Sequence, residues 1–185
     1  MKEIVMATGN VGKWEIARDI FANYNLTLTQ EKVDTPEIQA SSVEEVSLYS
    51  AKYASEKLNK PVIKSDVGYY IEELGGFPGP FVKFVNNMLK PEDILKMLEG
   101  KENRKIVLRE CLTYYEQGSE PVQFISNEEA TISKYKAGEG STFDQILILK
   151  GFDEPKGTYP SSINMDHFKK NLQIYHDVAK YLEEK

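Results

Sequence analysis

The chain has 185 residues, and 23 Lys and Arg against 29 Asp and Glu give it a formal net charge of −6. We expect no non-specific binding to nucleic acid or acidic membranes, because such binding requires a net basic surface. The single cysteine, Cys111, excludes an internal disulfide, and only two histidines argue against a Cys/His zinc site. No apolar run approaches the roughly 20 residues of a membrane span, and the N-terminus is typical of a strand rather than a signal peptide. We therefore expect one cytoplasmic domain over residues 1–185.

The N-terminal part of the chain alternates apolar runs with segments of helical periodicity. A short apolar run leads into a Gly-rich turn, after which apolar residues recur at helical spacing. The predicted elements are a strand at 3–7, a turn at 8–12, a helix at 13–24, a strand at 26–29, a helix at 42–58 and a strand at 61–64. The last of these strands is predicted to end just before Ser65 and Asp66.

The C-terminal part mixes short helices with β-rich segments. The predicted elements are a loop at 75–80, helices at 81–89 and 91–98, a hairpin of 105–115 with 121–135, a strand at 146–149, a connection at 150–164 and one helix at 166–185. This mixture of strands and helices predicts an α/β or α+β fold.

The turn Thr8-Gly9-Asn10-Val11-Gly12-Lys13 is a candidate phosphate-binding loop. A turn between a strand and a helix presents backbone N–H groups at the positive end of the helix dipole. The glycines allow close approach of a phosphate, and Lys13 adds a mobile positive charge. The spacing does not match a Walker A loop. A plain turn with a surface lysine remains the alternative.

Two carboxylates are candidate ligands of Mg²⁺. Glu37 follows Pro36 in a loop, and Asp66 stands just after an apolar strand, two positions before Gly68. Mg²⁺ is bound through one or two carboxylates together with substrate phosphates, and Asp66 is also placed to activate a water molecule. The alternatives are a solvated glutamate and an aspartate that caps a turn.

Two segments late in the chain are candidates for contact with a ligand. Phe143 precedes Asp144, so that a ring that can stack on a base and a hydrogen-bond acceptor are adjacent, and polar residues of the C-terminal helix, among them Lys170 and His176, could face a cleft. An ordinary strand entry and a solvated helix face are the alternative interpretations.

Taken together and in order, these motifs resemble one family, the inosine/xanthosine triphosphate pyrophosphatases. The matching segments are Thr8-Gly9-Asn10-Val11-Gly12-Lys13, Pro36-Glu37-Ile38-Gln39, Gly76-Phe77-Pro78-Gly79-Pro80, Phe143-Asp144 and Lys170-Asn171. The resemblance covers nearly the whole chain and is strongest to the archaeal and eukaryotic branches. Two positions depart from the family pattern. Ser65 stands where the family has the first acid of a pair, and Ile174-Tyr175-His176 stands in place of a terminal Ser-His-Arg motif.

The resemblance implies an elongated mixed α/β fold with two lobes, a nucleotide cleft between them and a homodimer. It implies hydrolysis of deaminated purine nucleoside triphosphates (ITP, dITP and XTP) to the monophosphate and pyrophosphate, with Mg²⁺. Asp66 would activate water, and Glu37 and Asp66 would hold the metal. The implied substrate-binding residues are Thr8, Gly9, Asn10, Lys13, Phe143, Asp144, Lys170, Tyr175 and His176.

Three alternative functions stay open at this point. They are a related pyrophosphatase with a changed base preference, a nucleotide-binding homologue with lost or altered catalysis, and a small-molecule phosphatase. The first would release pyrophosphate, the second would bind nucleotide without turnover, and the third would release orthophosphate.

Overall fold

The structure, a computed structural model, describes residues 3–185. The strands are β1 (Glu3–Ala7), β2 (Thr27–Glu31), β3 (Val62–Ile71), β4 (Pro78–Gly79), β5 (Lys105–Tyr115), β6 (Val122–Ile132) and β7 (Leu147–Leu149). The helices are α1 (Val11–Phe21), α2 (Val43–Leu58), α3 (Val82–Met88), α4 (Pro91–Met97), α5 (Ser161–Asn171) and α6 (Gln173–Glu184). None of the helices within 3–185 combines the length and apolar character needed to cross a membrane.

The strands form one mixed sheet, which confirms the α/β class. The strand order is β2-β1-β3-β5-β6-β7, and β4 pairs with β3. β1 is parallel to both β2 and β3, whereas the β3–β4 and β6–β7 pairs are antiparallel. Parallel strands need a crossover connection, and helices such as α1 and α2 provide it.

The register between β1 and β3 determines what faces the Gly-rich turn. Val5 is paired with Val62 and Met6 with Ile63. Because the two strands are parallel, the residues that follow Ile63 continue past the end of β1. The turn after β1 and the first residues of α1 therefore lie beside Lys64, Ser65 and Asp66.

The chain divides into two compact units. Unit 1 contains the residues up to Asp66, Glu110–Ser126 and Met165–Lys185, and unit 2 contains Val67–Arg109 and Asn127–Asn164. The assignment of 1–185 to a single functional domain stays a prediction.

The core of unit 1 forms where α1 and α6 pack together. It contains Ile4, Met6, Ile16, Ile20, Phe21, Ile63, Leu112, Tyr114, Ile174, Tyr175, Val178 and Leu182, all buried. α6 repeats its apolar residues at helical spacing, so that one face is buried and the opposite face is charged.

Two loops of unit 2 approach each other so closely that a glycine is required. The Glu139 N–H donates to the Gly157 carbonyl at 3.0 Å, and a Cβ on Gly157 would lie 2.2 Å from the Glu139 carbonyl oxygen. Any side chain at Gly157 would therefore separate the loop that carries Asp144 from its neighbour.

Two predicted elements differ from the structure. The strand predicted at 61–64 continues as β3 to Ile71, because its second half pairs with β4 through Tyr69 and Tyr70. Ser65 and Asp66 therefore lie inside a strand and not at its end. The predicted helix at 166–185 is two helices, since Leu172 has ψ 71° and interrupts the helix, and the first of the two begins earlier, within the predicted connection.

Candidate active site

The Gly-rich turn is ordered by its own polar side chains. The Asn10 N–H donates to Thr8 Oγ1 at 3.1 Å, and the Lys13 N–H donates to Asn10 Oδ1 at 3.1 Å. Asn10 is thus the N-cap of α1. The N–H groups of Val11 and Gly12 belong to the same first turn and lack acceptors within the helix. This arrangement suits an anion, as predicted for the loop.

Lys13 reaches from α1 to the neighbouring strands. Its ammonium donates to Ser65 Oγ at 3.0 Å and to the Ser65 carbonyl at 3.4 Å. It also lies 3.6 Å from Glu110 Oε1 on β5, and the side chain is only 21% exposed. The structure therefore brings Lys13 against the strand segment that carries Asp66.

Lys64 on β3 interacts electrostatically with Lys13 and with both predicted metal ligands, Glu37 and Asp66. Burial lowers the pKa of the Lys64 ammonium, and the charge of Lys13 lowers it further, while Asp66 and Glu37 act in the opposite direction. Lys13, Asp66 and Glu37 are thus each within electrostatic range of Lys64. Lys64 Nζ also donates to Thr35 Oγ1 at 3.5 Å, close to Glu37 in the chain.

The carboxylates of this region match the donor preference of Mg²⁺. Glu37 is exposed and Asp66 is half-buried, with its Oδ2 shielded from solvent. No group of three or more His, Cys, Asp and Glu side chains placed to hold a metal occurs within residues 3–185. Mg²⁺ that is shared with substrate phosphates needs only one or two protein carboxylates, and Glu37 with Asp66 meets that requirement.

Two predicted base-binding residues, Phe143 and Asp144, are held within unit 2. Phe143 is 1% exposed, and its ring meets Tyr69 edge to face at 5.1 Å. Asp144 forms an ion pair with Lys156 and accepts from the Ser141 N–H at 2.9 Å. Burial raises the pKa of the Asp144 carboxyl, but Lys156 and the hydrogen bonds from Ser141 outweigh it, so the pKa lies below its usual value.

The other three predicted base-binding residues lie in unit 1. Tyr175 is fully buried, and its hydroxyl donates to Glu110 Oε1 at 2.9 Å. His176 Nδ1 is 3.2 Å from the Tyr24 hydroxyl. Lys170 is exposed near the end of α5. The Tyr175 ring therefore offers no exposed face to a base, whereas Lys170 projects from the surface.

Comparison with known proteins identifies the family of this chain. A model of the Ham1 family matches residues 4–170. The chain belongs to the Ham1 family. A dITP/XTP pyrophosphatase from Methanopyrus kandleri is 41% identical over 152 residues, which cover 82% of this chain and 81% of the relative. Another from Methanosarcina acetivorans is 38% identical over 82% of this chain and 83% of that relative.

Solved Ham1 structures share the fold. A HAM1 protein from Coxiella burnetii superposes with a TM-score of 0.84 at 18% identity, over 100% of both chains. The Ham1 protein of Staphylococcus aureus gives a TM-score of 0.79 at 23% identity, again over 100% of both chains. At these identities the likeness shows the fold alone.

Two charged residues of this candidate site were missed by the sequence analysis. Lys64 stands two positions before Asp66, and alternation along a strand places both on the same face. Glu110 is 7% exposed within an otherwise mostly apolar strand, and a buried carboxylate is rare unless it is paired. The position of Lys64 relative to Asp66 could be read from the sequence. The contacts of Glu110 could be recognised only once β5 was placed beside β3.

Proposed function

We propose that this chain hydrolyses deaminated purine nucleoside triphosphates, namely ITP, dITP and XTP, to the monophosphate and pyrophosphate. The observation that carries the proposal is the cluster of Lys13, Lys64, Glu37 and Asp66 beside the Gly-rich turn. It combines cations for a triphosphate with carboxylates for a metal and a water molecule. The family and the names of the archaeal relatives, dITP/XTP pyrophosphatase, support the same reaction.

The proposed reaction divides the work among residues of unit 1. Thr8, Gly9 and Asn10 shape the turn that receives the phosphates, and the Lys13 and Lys64 ammonium groups neutralise their charge. Asp66 accepts a proton from the water molecule that attacks the α-phosphorus. The bond from that phosphorus to the bridging oxygen breaks, and pyrophosphate leaves with the electron pair. Such phosphoryl chemistry depends mainly on positioning and electrostatic stabilisation.

Mg²⁺ is the metal that we propose for this site. Glu37 and Asp66 would hold it together with phosphate oxygens. When bound, it would neutralise charge that develops on the phosphates. The two carboxylates also balance the Lys64 ammonium, whose pKa they raise against the effect of burial.

For the base side we propose Lys170 and His176 as contacting residues. Phe143, Asp144 and Tyr175 stay predicted base-binding residues; the two rings are buried and the carboxylate pairs with Lys156. We further propose that the protein is a homodimer acting on the nucleotide pool of the cytoplasm. A set of exposed apolar side chains on α3 and the loop before it supports self-association; it consists of Phe77, Phe81, Phe84 and Met88.

The experiment that tests the function is a nucleotide panel with separate detection of pyrophosphate and orthophosphate. We expect pyrophosphate from ITP, dITP and XTP, with little from ATP and GTP. Binding without turnover would favour the nucleotide-binding alternative, and release of orthophosphate would favour a phosphatase. Pyrophosphate from a different set of nucleotides would show a changed base preference.

Removal of divalent metal tests the proposed role of Mg²⁺. We expect activity to be lost in excess chelator and to return on addition of Mg²⁺, because Glu37 and Asp66 lie near the phosphate-binding turn. The measurement is pyrophosphate release at fixed nucleotide. Turnover that continues in excess chelator would contradict the metal role and leave the assignment of Lys13 untouched.

A further inference from the structure

A buried carboxylate lies beneath the proposed triphosphate site. Glu110 is 7% exposed on β5, and two groups approach the same oxygen, Oε1. The Tyr175 hydroxyl donates to it at 2.9 Å, and the Lys13 ammonium lies 3.6 Å from it. A buried carboxylate is costly unless it is paired and hydrogen-bonded, and these two contacts meet that need inside unit 1.

Ser65 completes the arrangement on β3. Its Oγ accepts from the Lys13 ammonium at 3.0 Å and lies 3.5 Å from the Tyr175 hydroxyl. Lys13 is thus held by Ser65 on one strand and by Glu110 on the next. A lysine side chain is otherwise free to adopt many rotamers, and these contacts select one in which the ammonium ends at Ser65.

Unit 1 contains a second group of the same three residue types, which serves as an internal reference. Tyr114 donates to Glu116 Oε2 at 2.7 Å, and Lys185 Nζ lies 3.5 Å from the same oxygen. The Glu116 side chain is 40% exposed, against 9% for Glu110. Exposed ion pairs contribute little because water screens them, whereas a buried carboxylate depends strongly on its partner.

We propose that Glu110 is a positioning residue of the triphosphate site. Its carboxylate, held by the Tyr175 hydroxyl, fixes the Lys13 ammonium against Ser65 so that the ammonium meets the phosphates in one orientation. This inference rests on the proposed function, since it assigns Glu110 a role that acts through Lys13. It also gives a role to the buried Tyr175 hydroxyl, which holds the carboxylate that fixes Lys13.

A double-mutant cycle between Glu110→Gln and Lys13→Ala tests the proposal. In the wild-type background we expect Glu110→Gln to lower kcat/KM for dITP about tenfold or more, the scale of a misplaced catalytic group. In the Lys13→Ala background the same change is expected to alter kcat/KM by less than about twofold, because the ammonium that it positions is gone. Glu116→Gln, in the exposed group, is the matched control and is expected to leave kcat/KM unchanged in both backgrounds.

Thermal melting of the four proteins of the cycle gives a readout that does not depend on activity. These proteins are the wild type, Glu110→Gln, Lys13→Ala and the double variant. Glu110→Gln is expected to lower the melting temperature of the wild type, since Lys13 loses its counter-ion. In the Lys13→Ala protein it is expected to raise the melting temperature, because it removes a buried carboxylate that has lost its cation. Tyr175→Phe alters no charge and is expected to lower kcat/KM in the wild type less than Glu110→Gln does.

The outcomes separate the two proposals. A wild-type protein that releases no pyrophosphate from any nucleotide contradicts the proposed function and the positioning role together. An active wild type in which the losses from Glu110→Gln and Lys13→Ala simply multiply contradicts the role of Glu110 alone. Non-multiplying losses with an opposite sign of the melting shift in the two backgrounds support it.

Discussion

At the scale of single residues, Asp66 is the group on which the proposed chemistry depends most. It lies inside β3, one residue after the serine that receives Lys13, and its charge is within range of Lys64. Asp66→Asn keeps the size of the side chain and removes the charge that would bind metal and accept a proton. We expect turnover to fall at least about 10²-fold, the scale of a lost general base, with nucleotide binding largely retained.

Asp177→Asn is the control for this substitution, because Asp177 is an exposed carboxylate on α6. The measurements are pyrophosphate release, nucleotide binding by calorimetry and thermal melting. An Asp66→Asn protein with normal turnover and an early melting transition would show that Asp66 is structural and that another group activates the water.

Lys13 is expected to act on binding. Lys13→Ala removes one charge-assisted contact to the triphosphate, so we expect the Michaelis constant for dITP to rise about tenfold or more and inhibition by pyrophosphate to weaken. Lys60→Ala is the matched control, since Lys60 forms an exposed ion pair with Glu3 at 3.2 Å. Unchanged affinity for triphosphate in Lys13→Ala would mean that the Gly-rich segment is only a turn.

The sequence predicted these residues because their signals are local. A strand, two glycines and a lysine within a few positions indicate the turn at Thr8 to Lys13. Glu110 could not be predicted, since its partners, Lys13 and Tyr175, lie 97 and 65 positions away in the chain and meet it only after the sheet has formed. The contact of the Tyr175 hydroxyl with Glu110 could not be predicted for the same reason, because helical spacing shows that a face is apolar but not what a hydroxyl on it contacts.

At the scale of elements, boundaries were harder to predict than the elements themselves. The existence of α1 and α2 followed from helical spacing, that of β1 from a short apolar run and that of the β5–β6 pair from β-rich composition around a turn. The length of β3 did not, because its second half is extended by pairing with β4, whose only residues are Pro78 and Gly79. Pairing with a segment distant from the first half of β3 thus overrides the local pattern at this boundary.

The loop around Asp144 makes an element-scale prediction about pH. The pKa of this carboxyl is lower in the folded protein than its usual value, which is about 3.9 in an unfolded chain. Above that value the ion pair with Lys156 contributes fully to stability. As pH falls below it, the unfolded state takes up protons first and the contribution is lost.

The comparison of wild type with Asp144→Asn measures that contribution. Between pH 7 and pH 3 we expect the melting temperature of the wild type to fall more steeply than that of the variant, so that the two curves converge at low pH. Asp153→Asn, an exposed carboxylate in the same unit, should give a curve parallel to the wild type. Parallel curves for Asp144→Asn as well would show that Lys156 does not stabilise the ionised form.

At the scale of the whole molecule, charge and apolar surface act against each other in self-association. Each chain carries a formal net charge of −6, so two copies repel at low ionic strength. Unit 2 nevertheless exposes apolar side chains on α3 and the loop before it. Met88 is 74% exposed and Phe84 is 41% exposed, and the Phe81 and Phe84 rings lie 6.5 Å apart. Side chains of this size each contribute about 1.5–3 kcal/mol when they are buried.

If this apolar surface joins two copies, association should strengthen with salt, since salt screens the repulsion over about 10 Å at 0.1 M and leaves apolar contacts intact. We expect the wild type to be a dimer by size-exclusion chromatography with light scattering, with a dissociation constant that falls as salt is raised. Phe84→Glu places a charge in the contact and removes a ring, so it should give a monomer. Ile125→Glu is the matched control, because Ile125 is exposed to a similar degree, 46%, on β6. A Phe84→Glu protein that stays dimeric, or an Ile125→Glu protein that dissociates, would move the interface away from α3.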